Sequence, residues 1–169
     1  SLSNTTGGSF ADKHVGTNKP VTTSMALSGT EVANYVLSQP TGLTANVNQA
    51  LLTVSTNAVN KVYDSNTTAP GAAAVVTTGS LFGTDALTGG TFAFVSKNVG
   101  NNVTVNVSGV SVNDGNGGNN YTVTNAPNNT SSITAANLNV TGVSATGRTY
   151  DGTTVAALGG AATVTALGT

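Results

Sequence analysis

With 169 residues, no cysteine, a formal net charge of −1 and charged side chains at only 7% of the chain, this protein has no thiolate metal site, disulfide framework or cysteine nucleophile. Its five Lys and Arg are scattered, so they form no basic footprint for nucleic acid or an anionic membrane surface. An ordinary globular domain carries about 25% charged residues; here Thr, Ser and Asn solvate the surface, and the many β-branched residues set the chain apart from disordered ones. No run approaches the roughly 18 apolar residues of a membrane span. Residues 1–30 lack the basic start and apolar core of a signal peptide, so any export signal is expected outside this stretch.

In chain order, the first landmark is Thr6-Gly7-Gly8-Ser9-Phe10, running on into Ala11-Asp12-Lys13-His14-Val15-Gly16. Both pieces recur, as Thr88-Gly89-Gly90-Thr91-Phe92 and as Phe94-Val95-Ser96-Lys97-Asn98-Val99-Gly100, with Phe10, Lys13, Val15 and Gly16 each repeated 84 positions later. A polar turn, Thr17-Asn18-Lys19-Pro20, precedes an expected strand at 21–27. Its counterpart, Val103-Thr104-Val105-Asn106-Val107-Ser108, alternates apolar and polar residues with period 2, as a strand with one buried face does. A Gly-containing turn then leads to Tyr35 in the first copy, and a Gly/Asn turn to Tyr121 in the second. A Tyr at the start of a strand after such a turn fits a tyrosine corner, ring on the core and hydroxyl on the turn backbone. Pro40 and Pro127 close these strands, and 43–48 matches 130–135 as the last strand of each unit. No linker separates Val47 from Leu51, so the joint between copies is expected to be short and stiff.

One complete copy, 50–136, contains eight β-rich runs, at 51–55, 61–63, 72–77, 91–95, 103–108, 110–112, 121–124 and 131–134. The Ala-rich stretches at 72–74 and 161–162 are too short for a helix. The fold class expected is all-β, tandem Ig-like β-sandwich repeats with a period of about 84 to 87 residues. The longer spacing comes from Lys61-Val62-Tyr63-Asp64 against Arg148-Thr149-Tyr150-Asp151. Residues 1–49 are then the C-terminal part of a unit, 50–136 a complete unit, and 137–169 the N-terminal part of a third, with 161–169 aligned on 72–80. Two organisations fit. The chain is a piece of a longer tandem array, or residues 137–169 of one molecule are completed by 1–49 of the next, head to tail, by strand complementation.

These motifs resemble the YDG-type repeat domains of large bacterial adhesins, including exoproteins related to filamentous haemagglutinin. The family pattern appears as Tyr150-Asp151-Gly152-Thr153-Thr154, as Phe10-Ala11-Asp12-Lys13-His14-Val15-Gly16, as Ala33-Asn34-Tyr35 and as Ile133-Thr134-Ala135-Ala136. The middle copy departs from it, with Tyr63-Asp64-Ser65-Asn66 in place of Tyr-Asp-Gly and with Ser96 in place of Asp. The variable positions are polar, so the motif residues Tyr63, Asp64, Tyr150, Asp151, Phe10, Lys13, Gly16, Phe94, Lys97, Gly100, Tyr35 and Tyr121 are read as structural. Gly serves turns that need φ > 0 and Asp bonds the turn backbone. The resemblance implies a stalk or fibre module of a secreted or cell-surface bacterial adhesin, extracellular, with adhesion elsewhere or spread along the array. Its partners would be neighbouring units or copies of itself. The alternative is a module that binds glycans or host or bacterial surfaces.

The chemistry on offer is thin, and no enzyme is expected. His14, the only histidine, has Asn98 as its counterpart, and no second ligand or paired carboxylate surrounds it. Asp12 and Lys13 read as a solvated turn pair, and Lys13 and Lys97 as solvated loop charges. Glu31 is the only glutamate, which leaves paired-carboxylate chemistry to turn aspartates. A Lys-Asn isopeptide at Lys13 or Lys97 would need a buried acidic catalyst beside it. The one metal candidate is calcium in the loop 113–120, through Asp114, Asn116 and Asn119; with one carboxylate and no bidentate Glu the site would be weak, and a plain Asn/Gly hairpin loop is the simpler reading. No other cofactor is indicated. Asn-x-Ser/Thr at Asn4, Asn66, Asn102, Asn106, Asn120, Asn128, Asn129 and Asn139 leaves glycosylation open.

Overall fold

A computed structural model describes residues 1–166. Strands make up 53% of the described residues. In order they are β1 (Leu2–Ser3), β2 (Gly8–Phe10), β3 (Gly16–Thr23), β4 (Ala26–Leu27), β5 (Thr44–Val47), β6 (Ala50–Thr56), β7 (Asn60–Val62), β8 (Ala74–Thr78), β9 (Ala86–Phe94), β10 (Gly100–Asn113), β11 (Tyr121–Asn125), β12 (Asn128–Thr134), β13 (Leu138–Thr146) and β14 (Ala157–Ala166). One 3-10 turn, Val32–Asn34, is the only helical element among the described residues. The chain is therefore all-β. Leu167, Gly168 and Thr169, which the sequence aligns with 78–80, lie outside the described residues.

Two differences from the expected runs have local causes. The runs 103–108 and 110–112 are a single strand, β10, because Gly109 at φ +67° carries the chain through a bend without ending it. The expected strand at 21–27 begins earlier, at Gly16, and stops at Thr23; Ala26 and Leu27 instead pair with Ser3 and Leu2.

The strands collect into two compact units. The first comprises Ser1–Ser55, Ala74–Gly90 and Gly109–Ala126. Here β6 is the middle strand of the sheet β11-β6-β8, and β11 runs parallel to it with Tyr121 opposite Ala50, Val123 opposite Leu52 and Asn125 opposite Val54. The pleat turns alternate residues to opposite faces: Leu52 and Val54 are 2% and 0% exposed while Leu51 is 75% exposed. In the same unit β3 pairs with β2 and β5, Gly16 opposite Val47 and, after a register shift, Lys19 opposite Ala45.

The second unit comprises Thr56–Ala73, Thr91–Ser108 and the described residues from Pro127 onward. In its sheet β7 lies parallel to β12, and β12 antiparallel to β10, with Gly100 opposite Ile133 and, after a register shift, Val103 opposite Ser131. Val59, Phe94, Val105 and Ile133 form the core, flanked by Tyr63, Phe92 and Val103. The buried Ser131 hydroxyl accepts from the Val59 amide at 3.0 Å and donates to Asn128 Oδ1 at 2.9 Å, which satisfies the polar group this core contains. β13 and β14 form a separate two-stranded hairpin, and every side chain of β13 is exposed.

Ile133→Ala deletes side-chain atoms from a site 1% exposed and is expected to cost about 2–5 kcal/mol. Leu51→Ala, on the outward face, should change stability by less than about 0.5 kcal/mol. Urea unfolding of the two variants checks the assigned pleat.

Candidate functional site

The motif residues are best followed from the turn after β7. Asp64 accepts the Asn66 amide at 3.2 Å, and Lys61 Nζ, its side chain 5% exposed, donates to Asp64 Oδ1 at 2.7 Å and to the Asn66 carbonyl at 2.9 Å. The same ammonium sits 5.4 Å from the centre of the Phe94 ring, a cation-π contact. The later copy repeats the turn. Asp151 accepts the Thr153 amide at 3.0 Å, and Arg148 pairs with Asp151 and donates to Thr153 Oγ1 at 2.7 Å. Between the two aspartates and their donors stand Ser65 at φ +66° and Gly152 at φ +72°. The Gly of the motif thus supplies a left-handed residue, and Ser65 holds the same conformation against the Cβ clash. Tyr63 packs on the core of its unit, whereas Tyr150 is 93% exposed.

The recurring Phe-to-Gly loop is a second turn of the same kind. Asp12 Oδ1 accepts the His14 amide at 2.8 Å, and Ser96 Oγ accepts the Asn98 amide at 3.1 Å, so the Ser that replaces Asp keeps the acceptor. Gly16 and Gly100 end the loop at the register shifts, with Asn18 and Asn102 two residues on at φ +52° and +56°. A Cβ on Gly16 would lie 3.1 Å from Lys19 Cδ, and one on Gly100 3.2 Å from Val103 Cγ2, so a larger residue at either site would have to push these side chains aside. Phe94 is buried but Phe10 is 39% exposed, beneath Lys19 Nζ at 5.8 Å; Val99 is 55% exposed.

Two readings of this loop's charges are corrected. Asp12 pairs with Lys19, not with Lys13. Lys13 is not simply a solvated charge, because its Nζ lies 3.4 Å from Asp85 Oδ1, a carboxylate only 7% exposed and 72 residues away in sequence. Asp85 Oδ2 accepts the Tyr121 hydroxyl at 2.8 Å, and that hydroxyl oxygen accepts the Phe82 amide at 3.0 Å. Burial, then the bond to Asp85, pushes the Tyr121 phenol above its ordinary pKa. Beside it Asn120 Oδ1 accepts the Val15 amide at 3.0 Å, and its amide nitrogen lies 3.3 Å from His14 Nδ1. Gln49 donates to the Asn119 carbonyl at 3.0 Å and accepts from Thr122 Oγ1 at 2.8 Å. The cleft in this cluster, between Lys13, Phe82, Asp85 and Tyr121, is about 280 Å³, at the small end for a ligand pocket. The arrangement ties the 12–16 loop to the 82–85 loop and to the start of β11; its carboxylate, phenol and amides are each engaged by another group of the cluster.

Tyr121 is a buried anchor, but its hydroxyl reaches the Phe82–Asp85 loop and not the turn preceding it. Tyr35 is no strand start. It follows the 3-10 turn, is 69% exposed and joins no sheet. Asp85 was not singled out by sequence, since it has no repeated counterpart in the motifs; its one visible signal is a carboxylate in a chain with only six acidic residues.

The turn 113–120 is closed by Asp114. One oxygen accepts the amides of Asn116 and Gly118 at 2.7 and 2.8 Å, the other that of Asn120 at 2.9 Å. Burial raises the Asp114 pKa, yet these donors outweigh it and the carboxyl stays below its usual value. Asn119 Nδ2 donates to the Asn116 carbonyl at 2.6 Å and Asn116 Nδ2 to Asn120 Oδ1 at 3.0 Å. The side chains proposed for calcium are therefore turned onto the loop itself, and no cluster of three His, Asp or Glu suited to a metal occurs among the described residues. Lys97 and Asn98 lie exposed in their loop. Of the glycosylation candidates, Asn4, Asn66, Asn102, Asn106, Asn129 and Asn139 are exposed, whereas the Asn128 amide donates to the Thr56 carbonyl at 3.0 Å.

The family model of the YDG domain matches residues 1–42 and 48–130, more than half of the chain. The chain belongs to the YDG-domain family. No curated protein and no solved structure matches it. The matched span of this YDG chain contains Tyr63-Asp64-Ser65, while the literal Tyr150-Asp151-Gly152 lies past it. What the copies share is the turn geometry around the Asp.

Ser65→Gly relieves the left-handed strain and is expected to stabilise the YDG chain by about 0.5–1 kcal/mol, a rise of about 2 °C in Tm by calorimetry. A second expectation concerns acid. Asp64 is held low by Lys61, Asp12 by Lys19, Asp151 by the Thr153 amide and hydroxyl, and Asp114 by its backbone donors. Carboxyls depressed in the folded state stabilise it fully above their unfolded value and cease to do so as pH falls through the folded one. Tm should stay level from about pH 7 to pH 5 and fall below about pH 4. Asp114→Ala should lower Tm at neutral pH and shrink the difference between pH 7 and pH 3.

Proposed function

We propose that this YDG chain is a non-catalytic structural module, a run of Ig-like β-sandwich repeats in the stalk or fibre of a secreted or cell-surface bacterial adhesin. The observation that carries the reading is the joint: the Asp12–Gly16 loop of one copy is bonded through Val15 and Lys13 to Asn120 and Asp85 of the next. A spacer needs its copies locked to each other, and polar groups engaged in that lock are withdrawn from chemistry.

Recurring geometry supports the tandem reading. The Gly16–Val47 and Gly100–Ile133 pairings carry the same register shift, Asn18 and Asn102 share a left-handed backbone, and the two aspartate turns share their donors. The units proposed are 1–49, 50–136 and 137–169, with a period of about 84 to 87 residues. The partners proposed are neighbouring units or further copies in an extracellular setting, with neither nucleic acid nor a bilayer among them.

A binding module for glycans or host surfaces is favoured by one observation. The Phe82 ring is 62% exposed and stacked on Tyr121, ring centres 6.4 Å apart, beside Asp85 and Asn120. A glycan array probed with the chain separates the two. No saturable binding is expected of a stalk module, whereas binding abolished by Phe82→Ala would sink the stalk reading.

A further inference from the structure

The turn between β10 and β11 holds Asn116-Gly117, the only Asn followed directly by Gly in the chain. An Asn side chain carries an electrophile, the amide carbon Cγ, within reach of the main-chain nitrogen of the next residue, which can close a five-membered ring on it. Glycine leaves that nitrogen unshielded, because it has no Cβ, and lets the backbone turn into the conformation ring closure needs. A folded protein suppresses the reaction by tying the attacking amide into a hydrogen bond or by locking the backbone around it.

Neither protection is strong here. The amides on both sides of Gly117 are taken: those of Asn116 and Gly118 by Asp114 Oδ1, that of Asn119 by the Asn116 carbonyl at 3.3 Å, and that of Asn120 by Asp114 Oδ2. The Gly117 amide donates to no group among the described residues. Gly115, Gly117 and Gly118 stand at φ +74°, +65° and +82°, so the backbone here has the freedom of three glycines. A Cβ built on Gly117 would meet nothing closer than Asn119 Nδ2 at 3.5 Å, which leaves room around the nitrogen. Asp114-Gly115 is the neighbouring pair of the same kind, but both Asp114 oxygens accept amides, and an ionised carboxylate is a poor electrophile. The turn thus directs the reaction to Asn116.

We propose that Asn116 is a self-modification site whose conversion to aspartate or isoaspartate loosens the 12–16 loop. A bond forms between Gly117 N and Asn116 Cγ, the Cγ–Nδ2 bond breaks, and Nδ2 leaves as ammonia with the proton from the Gly117 amide. Water then opens the succinimide at either carbonyl, giving aspartate or isoaspartate, and no other reactant is needed. The lost Nδ2 is the group that donates to Asn120 Oδ1 at 3.0 Å, and the same Oδ1 accepts the Val15 amide at 3.0 Å. In its place stands an acceptor-only carboxylate, facing an acceptor and sharing a turn with Asp114. Isoaspartate also lengthens the main chain inside the turn, out of step with the three amides that Asp114 holds. Asn120 loses one of its fixings, and Val15 with it. The inference stands apart from the stalk reading and does not depend on it.

The test is to age the folded chain at mildly alkaline pH and map its peptides by mass, with the chain unfolded in urea aged in parallel. A gain of about 1 Da confined to the peptide that contains 113–120, with isoaspartate among the products, is expected in the folded chain. Asn116→Gln keeps an amide donor but would need a six-membered ring, and should abolish the gain. Asn116→Asp fixes one product in place, and hydrogen exchange at the Val15 amide should then be about fivefold faster, as the loss of one ordinary hydrogen bond implies. No gain in the folded chain over the time in which the unfolded chain converts overturns the proposal. So does a gain spread over several Asn, or one that survives Asn116→Gln. Unchanged Val15 exchange in Asn116→Asp overturns the link to the 12–16 loop.

Discussion

The strands of this chain are positioned by turns, and the turns are held by oxygens that accept from their own backbone. Asp12, Asp64, Asp114 and Asp151 each accept an amide two residues on, and Ser96 does the same with a hydroxyl. A turn leaves backbone donors unpaired, and an unpaired donor away from water costs as much as a lost hydrogen bond. With so few charges in the chain and no disulfide, these side-chain acceptors fix where one strand ends and the next begins. Lys61 and Arg148 then thread the aspartate turns from the other side, each donating to the carboxylate and to a residue beyond it.

The Tyr121 cluster extends the same principle from a single turn to the contact between segments far apart in sequence. Its phenol takes a backbone amide and gives its proton to Asp85, while Asp85 holds Lys13. Exposed ion pairs contribute little, and Lys13 is 64% exposed. The bonds to the buried Asp85 and the half-buried Asn120 are accordingly the ones expected to hold the 12–16 loop in place.

Much of this was legible in the residues. Period-2 alternation at 103–108 marked a strand with a buried face, and Val105 and Val107 are buried. Asp and Gly in the Tyr-Asp-Gly motif were readable as turn residues, because only a few side chains bond a turn backbone or tolerate positive φ. The partners of Lys13 and Tyr121 were not legible, since Asp85 lies 72 and 36 residues from them and no local pattern encodes contacts at that separation. Tyr35 and Tyr121 follow similar turns but differ in outcome, because a strand is completed by the neighbour it pairs with. The continuity of β10 through Gly109 was missed for a related reason: a glycine in a strand pattern marks a break or a bulge, and sequence alone does not say which.

The parallel ladders carry a consequence for load. β6 with β11, and β7 with β12, are each an earlier strand laid beside a later one in the same direction. Tension entering at the start of the early strand and leaving at the end of the late one draws the two past each other. Their hydrogen bonds, evenly spaced in a parallel pair, then resist together in shear instead of opening singly like a zip.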